Sequence, residues 1–284
     1  MRPVHVLLPV HNRRAITEEF IKCLRQQTYE PVQLVLIDDG STDGTSEMVS
    51  GYLPGATVLK GDGSWWWGGS LQRGMEFLRK TAGRDDIVLI INDDTRFEAD
   101  FIEKGVAALL ARPRSILLAQ LYDAKSRKFL ECGVHCDWRR LAFRAIGNSE
   151  RPNCFSTRGL FMRFEDMCQI GGFHPILLPH YGSDYEYTTR ARRKGFVLAT
   201  CREVKLLGYE DATTTGVRDV ALPLPQFLQV IFTKRALHNP IYWTTFVLLA
   251  CPWRYVPRNL VHIWILFLRQ TRLALALHRR TKAA

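Results

Sequence analysis

The C-terminal part of the chain contains no acidic residue, since neither aspartate nor glutamate occurs from Val220 to Ala284. The basic residues there are Lys234, Arg235, Arg254, Arg258, Arg269, Arg272, Arg279, Arg280 and Lys282. This segment therefore carries +9 of the net charge of +11, which leaves +2 for residues 1–219. A nucleic-acid-binding protein places basic residues across a recognition surface. Here the charge lies among apolar runs, which indicates an anionic membrane surface and excludes nucleic acid as the partner.

The chain also lacks the features of an exported protein. Its seven cysteines are odd in number and scattered, which is typical of a reducing compartment. A zinc site at Cys132, His135 and Cys136 would need a second ligand pair, and none is evident, so ordinary buried thiols are favoured. The start has no long basic region and no small-residue cleavage site, which excludes a signal peptide. We expect a cytoplasmic protein.

No G-x-G-x-x-G follows the first predicted strand and no Walker loop is present, which argues against a dinucleotide enzyme and a P-loop kinase. The first half instead alternates short apolar runs with helical patterns. Strands are predicted at 4–10, 32–37, 57–59 and 86–91, with helices at 15–27, 43–52, 70–81 and 97–110. This alternation predicts an α/β fold with a doubly wound, mostly parallel sheet flanked by helices.

Composition divides the chain into a body, residues 1–219, and a basic, apolar helical extension, residues 220–284. The extension contains two apolar runs of 13 residues, Ile241–Trp253 and Val256–Leu268. Neither reaches the roughly 20 residues that a membrane-spanning helix needs. Their aromatic and basic residues favour two interfacial or re-entrant helices over a spanning one. The alternative is that these helices pack on the body or on a second copy of the chain in a homodimer.

Two adjacent acidic residues, Asp93 and Asp94, follow Asn92 at the end of a predicted buried strand. Adjacent carboxylates are costly at a strand end unless a cation or hydrogen-bond donors stabilise them. Ligands of open α/β sheets bind outside the carboxyl ends of the strands. The cluster therefore suits a metal-diphosphate site. The alternative is that it caps the helix predicted from Phe97 to Leu110.

Several short motifs recur in an order and spacing that resemble the family 2 glycosyltransferases with a GT-A fold, over roughly residues 1–210. They are Pro9-Val10-x-Asn12, residues 37–45 (IDDGSTDGT), Asn92-Asp93-Asp94, residues 159–163 (GLFMR), Gly171-Gly172-Phe173 and residues 182–186 (GSDYE), followed by Arg190 and Gly195. The sequence Gly-Ser-Trp-Trp-Trp at 63–67 is closest to rhamnosyltransferase-like members.

The resemblance implies a nucleotide-sugar donor bound at three places. The backbone near Pro9, Val10 and Asn12 would contact the nucleobase. Asp39 or Asp38 would accept a hydrogen bond from the base, while the other stabilises the turn. Asp94 would bind Mg²⁺ or Mn²⁺ on the diphosphate, with Asp93 near the ribose or supporting the ligand.

The tryptophan-rich segment before the third helix is implied to contact the donor as well. Gly68, Gly69 and Gly74 would let the backbone approach the donor closely. Trp67 would offer a ring for the sugar or the base. Arg73 stands where relatives often have asparagine, and it would contact the diphosphate or the sugar.

Asp184 corresponds to the catalytic base of the family, which takes the proton of the acceptor hydroxyl and gives inversion. Helix N-capping is the alternative role. His180 and Glu186 are candidates for binding the acceptor, although Glu186 has an i,i+4 ion pair with Arg190 as its alternative.

Three departures from the family pattern stand out. Asn92 replaces an acid, Ser183 replaces a glutamate, and Gly208-Tyr209-Glu210-Asp211 lacks the usual metal-binding histidine, so that Glu210 or Asp211 would have to substitute.

These observations predict an inverting, metal-dependent glycosyltransferase at the inner face of the cell membrane. Its acceptor would be a lipid-linked or cell-envelope glycan. A nucleotidyltransferase is a rival, but it predicts a glycine-rich loop after the first strand, and no glycine occurs there. The other rival is a membrane-attached nucleotide-sugar-binding protein without catalytic activity.

Overall fold

A computed structural model describes residues 1–208 and 222–283 of the chain, with side chains described as far as residue 279. The strands are β1 (Val4–Val10), β2 (Val32–Asp38), β3 (Thr57–Lys60), β4 (Ile87–Ile90), β5 (Ser115–Asp123), β6 (Phe129–Glu131), β7 (Val134–Asp137), β8 (Ala142–Ala145), β9 (Leu160–Arg163) and β10 (Val197–Gly208). The helices are α1 (Arg14–Arg25), α2 (Thr45–Tyr52), α3 (Trp66–Thr81), α4 (Phe101–Leu110), α5 (Phe164–Ile170), α6 (Ser183–Arg193), α7 (Leu224–Ile231), α8 (Pro240–Ala250) and α9 (Val256–Ala283).

The central sheet has the strand order β10-β5-β9-β4-β1-β2-β3, and β6 pairs with β5 outside this path. Strands β3, β2, β1 and β4 are parallel, as are β10 and β5. Only β9, between β4 and β5, and β6 run antiparallel to their neighbours in this sheet. The predicted mostly parallel sheet flanked by helices is confirmed.

Strand β1 shows why the sheet lies in the centre, because every residue from Val4 to Val10 is buried. Alternate side chains of a strand point to opposite faces. Val6 and Leu8 therefore belong to the core that includes Phe20 of α1, whereas Leu7 belongs to the core that includes Leu71 of α3. Burial on both faces explains the continuous apolar runs in the sequence.

The carboxyl ends of three strands meet at one edge of the sheet. Val10 of β1 is in register with Asp38 of β2, and Leu7 of β1 is in register with Ile90 of β4. Antiparallel β9 begins at this same edge, where Leu160 pairs with Ile90. The loops after β1, β2 and β4 and the residues before β9 are therefore neighbours.

The helix after β4 begins later than expected. It starts at Phe101 with Asp100 as the N-cap residue, whereas the sequence predicted a start at Phe97. Asp93 and Asp94 lie several residues before this helix and do not cap it. The helix-cap alternative for the acidic cluster is therefore wrong.

The extension contains a longer helix than its apolar runs indicated. Helix α9 continues beyond Leu268 through a basic segment that still contains leucine and alanine. Among the described helices, one, Trp253–Arg279, is long and apolar enough to cross a membrane, judged by length and composition only. The expected boundary at Asp219 lies in 209–221, outside the described residues.

The first part of the extension is docked on the body. The guanidinium of Arg193 at the end of α6 donates to the carbonyl oxygens of Leu249 (2.7 Å) and Ala250 (2.6 Å) at the end of α8. The side-chain amide of Asn259 in α9 donates to the carbonyl oxygen of Trp138 (2.9 Å). The two bonds from Arg193 satisfy carbonyl groups that a helix terminus leaves without partners. The packing alternative therefore describes α8 and the start of α9, whereas most of α9 is exposed.

Candidate active site

A cavity of about 410 Å³ opens at the edge of the sheet where the strand ends meet. Three parts of the chain supply its walls: the loops after β1, β2 and β4, the segment before and within α3, and residues from the second half. The lining residues are Pro9, Val10, His11, Arg13, Asp39, Gly63, Trp66, Trp67, Ser70, Asn92, Asp93, Asp94, Arg158, His180, Tyr181 and Arg235. Of the predicted donor-site residues, the cavity thus gathers Pro9, Val10, Asp39, Trp67, Asp93 and Asp94.

The carboxylate of Asp39 organises the loop before α3. Its Oδ1 accepts hydrogen bonds from the backbone amides of Gly63 (2.9 Å) and Trp65 (3.2 Å), and its Oδ2 accepts from that of Trp66 (2.8 Å). Trp66 adopts a left-handed conformation with φ of 58°. Such a conformation is costly for a bulky residue. The hydrogen bond from the backbone amide of Trp66 to Asp39 helps to hold Trp66 in this conformation.

Asp38 has the turn-stabilising role that the sequence left open for one of the two aspartates. Its carboxylate accepts from the amide of Ser41 (2.8 Å) and from the hydroxyl of Ser46. Asp38 is not among the cavity residues. Asn12 also stabilises this turn. Its side-chain Oδ1 accepts from the backbone amide of Thr42 (2.8 Å), and its backbone amide donates to the Ser41 hydroxyl (2.8 Å). The expected contacts of Asp38 and Asn12 with the base have no support from this placement.

Arg13 lies against the acidic cluster after β4. Its Nε is 3.0 Å from Oδ1 of Asp93, and its Nη2 is 3.5 Å from Oδ2 of Asp94. Asp93 also accepts from the hydroxyl of Thr17 (2.9 Å) and is only 3% exposed. Burial raises the pKa of Asp93, and the charge of Arg13 and the bond from Thr17 oppose this shift.

Two side-chain oxygen atoms of the acidic cluster are buried and have no hydrogen-bond partner among the described residues. They are Oδ1 of Asn92 and Oδ1 of Asp94. A buried acceptor without a partner is destabilising, and a cation would satisfy both atoms. The described part of the chain contains no group of three or more His, Cys, Asp or Glu side chains able to hold a metal. These two oxygen atoms therefore fit a cation that takes its other ligands from a bound diphosphate.

The tryptophan-rich segment packs mainly on protein. Nε1 of Trp67 donates to the hydroxyl of Thr157 (3.1 Å), and the Trp67 ring lines the cavity. A Cβ on Gly68 would lie 2.6 Å from the carbonyl oxygen of Leu178, so this glycine allows α3 to approach the loop that carries His180. Gly69 is buried near Trp65. Its expected donor contact, like those of the other glycines, is replaced by packing between elements.

Arg73 also lies away from the cavity. It is exposed on α3, where its Nη1 contacts Glu76 (3.1 Å) and its guanidinium lies over the ring of Trp65. Its expected contact with the diphosphate or the sugar has no support from this position.

Asp184 lies in the first turn of α6, and Gly182, not Asp184, is the N-cap residue. Burial raises the pKa of Asp184 to about 6, while the amide of Tyr185 (2.9 Å) and the charge of Arg158 oppose the shift. Asp184 does not itself line the cavity, but Arg158 and Tyr181 do. A carboxylate with a raised pKa beside a cavity is suited to take a proton near neutral pH.

The two predicted acceptor residues have different surroundings. His180 lines the cavity, packs edge-on against Trp66 with ring centroids 5.4 Å apart, and has a pKa lowered to about 4 by burial and by the charge of Arg235. Glu186 is 2% exposed, and its two oxygens accept from Nε (2.8 Å) and Nη2 (2.9 Å) of Arg190. The expected acceptor contact of Glu186 is corrected to the i,i+4 ion pair, because the side chain is buried against Arg190 and does not line the cavity.

Sequence reasoning missed the three arginines of the cavity: Arg13, Arg158 and Arg235. The rule that ligands bind beyond strand ends would have found Arg13, which follows β1. Arg158 precedes β9, whose antiparallel direction the sequence did not reveal. No local signal marks Arg235. The proposed metal-binding substitutes Glu210 and Asp211 lie outside the described residues.

The profile of a protein family, Glycosyl transferase family 2, matches residues 5–167. The N-acetylglucosaminyl-diphospho-decaprenol L-rhamnosyltransferase of Mycobacterium tuberculosis (strain CDC 1551 / Oshkosh) is 29% identical over 231 residues, covering 72% of this chain and 74% of that enzyme. Among solved structures, the mannosyltransferase PcManGT from Pyrobaculum calidifontis in complex with GDP-Man and Mn²⁺ has a TM-score of 0.58 at 18% identity, over 100% of this chain and 76% of that one. S. aureus TarS 1–349 in complex with UDP-GlcNAc has a TM-score of 0.56 at 13% identity, over 93% of this chain and 72% of that one. The two structures share the fold, which confirms the predicted GT-A architecture.

Replacing Asp39 by asparagine tests the role of its carboxylate in the loop. Asp39→Asn should destabilise the protein by about 2 kcal/mol, because the side-chain NH₂ group would face a backbone amide that now donates to Asp39. A chain of this size should then lose about 4–8 °C in Tm. The control is Asp85→Asn, an exposed carboxylate outside this loop whose replacement should have little effect. Equal Tm values for the two variants would contradict the role of Asp39.

Proposed function

We propose a specific reaction for this chain, which belongs to glycosyl transferase family 2 and is a glycosyltransferase. It moves a sugar, with L-rhamnose as the favoured candidate, from a nucleoside diphosphate donor to a hydroxyl group of a lipid-linked acceptor. The observation that carries the proposal is the cavity at the strand ends, where carboxylates and arginines converge and where one of the arginines, Arg158, acts electrostatically on Asp184. The mycobacterial relative, named for an N-acetylglucosaminyl-diphospho-decaprenol acceptor, supports the choice of sugar and of acceptor class.

The proposed chemistry is a direct displacement with inversion. The acceptor oxygen forms a bond to the anomeric carbon, while the bond from that carbon to the diphosphate oxygen breaks and leaves its electron pair on the nucleoside diphosphate. The proton of the acceptor hydroxyl passes to the carboxylate of Asp184. The raised pKa of Asp184 makes it a stronger base than an ordinary aspartate.

The donor would lie across the cavity, with its base near Pro9, Val10 and Asp39. Asp39 retains acceptor capacity in addition to the three backbone bonds, because each carboxylate oxygen has two lone pairs. The ring of Trp67 would contact the sugar or the base. Asp93 would help to position Asp94 as the metal ligand. Neutral His180 and Tyr181, which also line the cavity, would then contact the acceptor.

A divalent Mg²⁺ or Mn²⁺ ion, when bound, supplies positive charge to the departing diphosphate. Asp94 and Asn92 would hold it through the two unpartnered oxygen atoms. Arg13 shares Asp94 with this site, at 3.5 Å from its other oxygen. Arg13 therefore keeps the carboxylates from repelling one another before the donor binds.

Association with the cytoplasmic face of a membrane completes the proposal, and α9 would supply it. Val261, Trp264, Ile265 and Leu268 recur at helical spacing on one face and are all exposed. Arg269 and Arg272 follow them, and basic residues next to an apolar face bind anionic lipid surfaces. A lipid-linked acceptor would be presented at this surface.

Asp184→Asn should lower the transfer rate by about 100- to 10,000-fold, the usual contribution of a general base. The wild-type rate should fall with decreasing pH around a midpoint of about 6, because the carboxylate acts only when deprotonated and its pKa is raised to about 6. The measurements are transfer rates from pH 5 to 8, using a panel of nucleotide-sugars and a polyprenyl-diphosphate acceptor. The control is Asp85→Asn, an exposed carboxylate before β4. A midpoint near 4, or wild-type activity of Asp184→Asn, would refute the assignment.

Changes at the proposed metal ligands should alter metal affinity in opposite directions. With nucleoside diphosphate present, Asn92→Asp should tighten Mn²⁺ binding by about 10-fold, since ligand charge sets the affinity of carboxylate sites, and Asp94→Asn should weaken it by a similar factor. Electron paramagnetic resonance of bound and free Mn²⁺ measures both without relying on activity. Asp62→Asn serves as the control. Unchanged affinity in both variants would place the metal elsewhere.

Membrane association is tested by co-sedimentation with vesicles. The wild-type chain should bind vesicles that contain phosphatidylglycerol more strongly than pure phosphatidylcholine, because the extension is basic. Leu268→Asp should reduce binding by about 10-fold or more, because a charge does not partition into the apolar layer. Ile16→Asp removes a comparably exposed apolar residue from α1 and should have no effect. Equal binding of the two variants would exclude α9 as the contact.

A further inference from the structure

The turn between α7 and α8 brings two basic residues of the extension to the cavity. Arg235 lines the cavity wall together with residues that precede it by more than a hundred positions. Nζ of Lys234 donates to the carbonyl oxygen of Ser64 (3.0 Å) in the loop before α3. The basic extension and the loop held by Asp39 are therefore joined at this point.

Trp66 is the platform for this contact. Nζ of Lys234 lies 5.9 Å and the guanidinium carbon of Arg235 lies 5.7 Å from the centroid of its ring. The ring of His180 meets Trp66 edge-on at 5.4 Å. Cations over an indole face are attracted to its π-electrons. This attraction, the bond from Lys234 and the docking of α8 by Arg193 fix the position of Arg235.

The charge of Arg235 is available to a ligand. No carboxylate of the described residues lies within 4 Å of its guanidinium, whereas Arg13, on the acidic side of the cavity, is paired with Asp93 and Asp94. A guanidinium group presents N–H donors in a planar fork that matches two phosphate oxygens. His180 nearby adds no second positive charge at pH 7, because burial and the charge of Arg235 lower its pKa to about 4.

We propose that Arg235 binds the diphosphate of the nucleotide-sugar donor, so that the C-terminal extension completes the donor site. This inference rests on the proposed function. Arg235 contacts the leaving group and neutralises the charge that it gains as the bond to the sugar breaks. Lys234 is a positioning residue that anchors the turn to the loop before α3. The extension then serves two purposes: the turn between α7 and α8 contacts the donor, and helix α9 contacts the membrane.

The experiment measures binding of nucleosides and nucleoside diphosphates to the full chain by isothermal titration calorimetry. Uridine, thymidine, guanosine, cytidine and adenosine are each compared with their diphosphates. Arg235→Ala should weaken diphosphate binding by about 10-fold or more, since a charge-assisted bond is lost, and should leave nucleoside binding unchanged. Arg235→Lys should recover part of the loss because it keeps the charge without the fork. The control, Arg258→Ala, removes one exposed positive charge from the same extension.

Each outcome decides a different point. Loss of diphosphate affinity in Arg235→Ala alone, with unchanged Tm in the absence of ligand, supports the inference. Equal diphosphate affinity of wild type and Arg235→Ala overturns it and leaves the proposed function intact. Equal weakening for nucleosides and diphosphates also overturns it, because the residue then supports the loop and not the phosphates. If the wild-type chain binds none of the diphosphates, the proposed function is overturned, and the inference with it.

Discussion

The cavity depends on the carboxylate of Asp39 and on the hydrogen bonds that it accepts from three backbone amides of one loop. Those bonds fix Gly63, Trp65 and Trp66, and they hold Trp66 in a left-handed conformation that it would not adopt without support. The ring of Trp66 is thereby turned toward His180 and the two cations of the extension. A side chain that directly follows the second strand thus helps to determine where residues from the end of the chain can lie.

Charge balance at the strand ends follows from this arrangement. The acidic cluster after β4 is buried, and burial alone would favour its protonated form, as the raised pKa of Asp93 indicates. Arg13 offsets part of that cost on one side, while Oδ1 of Asn92 and Oδ1 of Asp94 on the other have no hydrogen-bond partner within 1–208 and 222–279. Arg158 and Arg235 have no carboxylate partner within 4 Å among the described residues. These arginines and the two acceptor oxygens suit a ligand that carries both phosphate oxygens and a cation.

The sequence predicted the sheet and the acidic edge because both arise from local patterns. Buried apolar runs identified the strands, and the rule for strand ends located Asp39 and Asp94. It could not separate the roles of Asp38 and Asp39, which depend on the distant amides of 63–66 and on the hydroxyl of Ser46. Glu186 was ambiguous for a related reason, since only the packed helix shows both oxygens bound to Arg190. Arg235 was beyond reach, because its position depends on the path of the whole extension.

The division into a body and an extension describes composition better than it describes structure. A separable membrane anchor would leave the cavity intact when removed, and its contacts with the body would be few. Here α8 is tied to α6 through Arg193, α9 is tied to Trp138 through Asn259, and the turn before α8 is tied to Ser64 through Lys234. These contacts hold the extension against the body next to the cavity wall that contains Arg235. If α9 lies on a membrane, the orientation of the cavity relative to that surface is set by the same bonds that shape the cavity, so donor binding and access to a lipid-linked acceptor are constrained together.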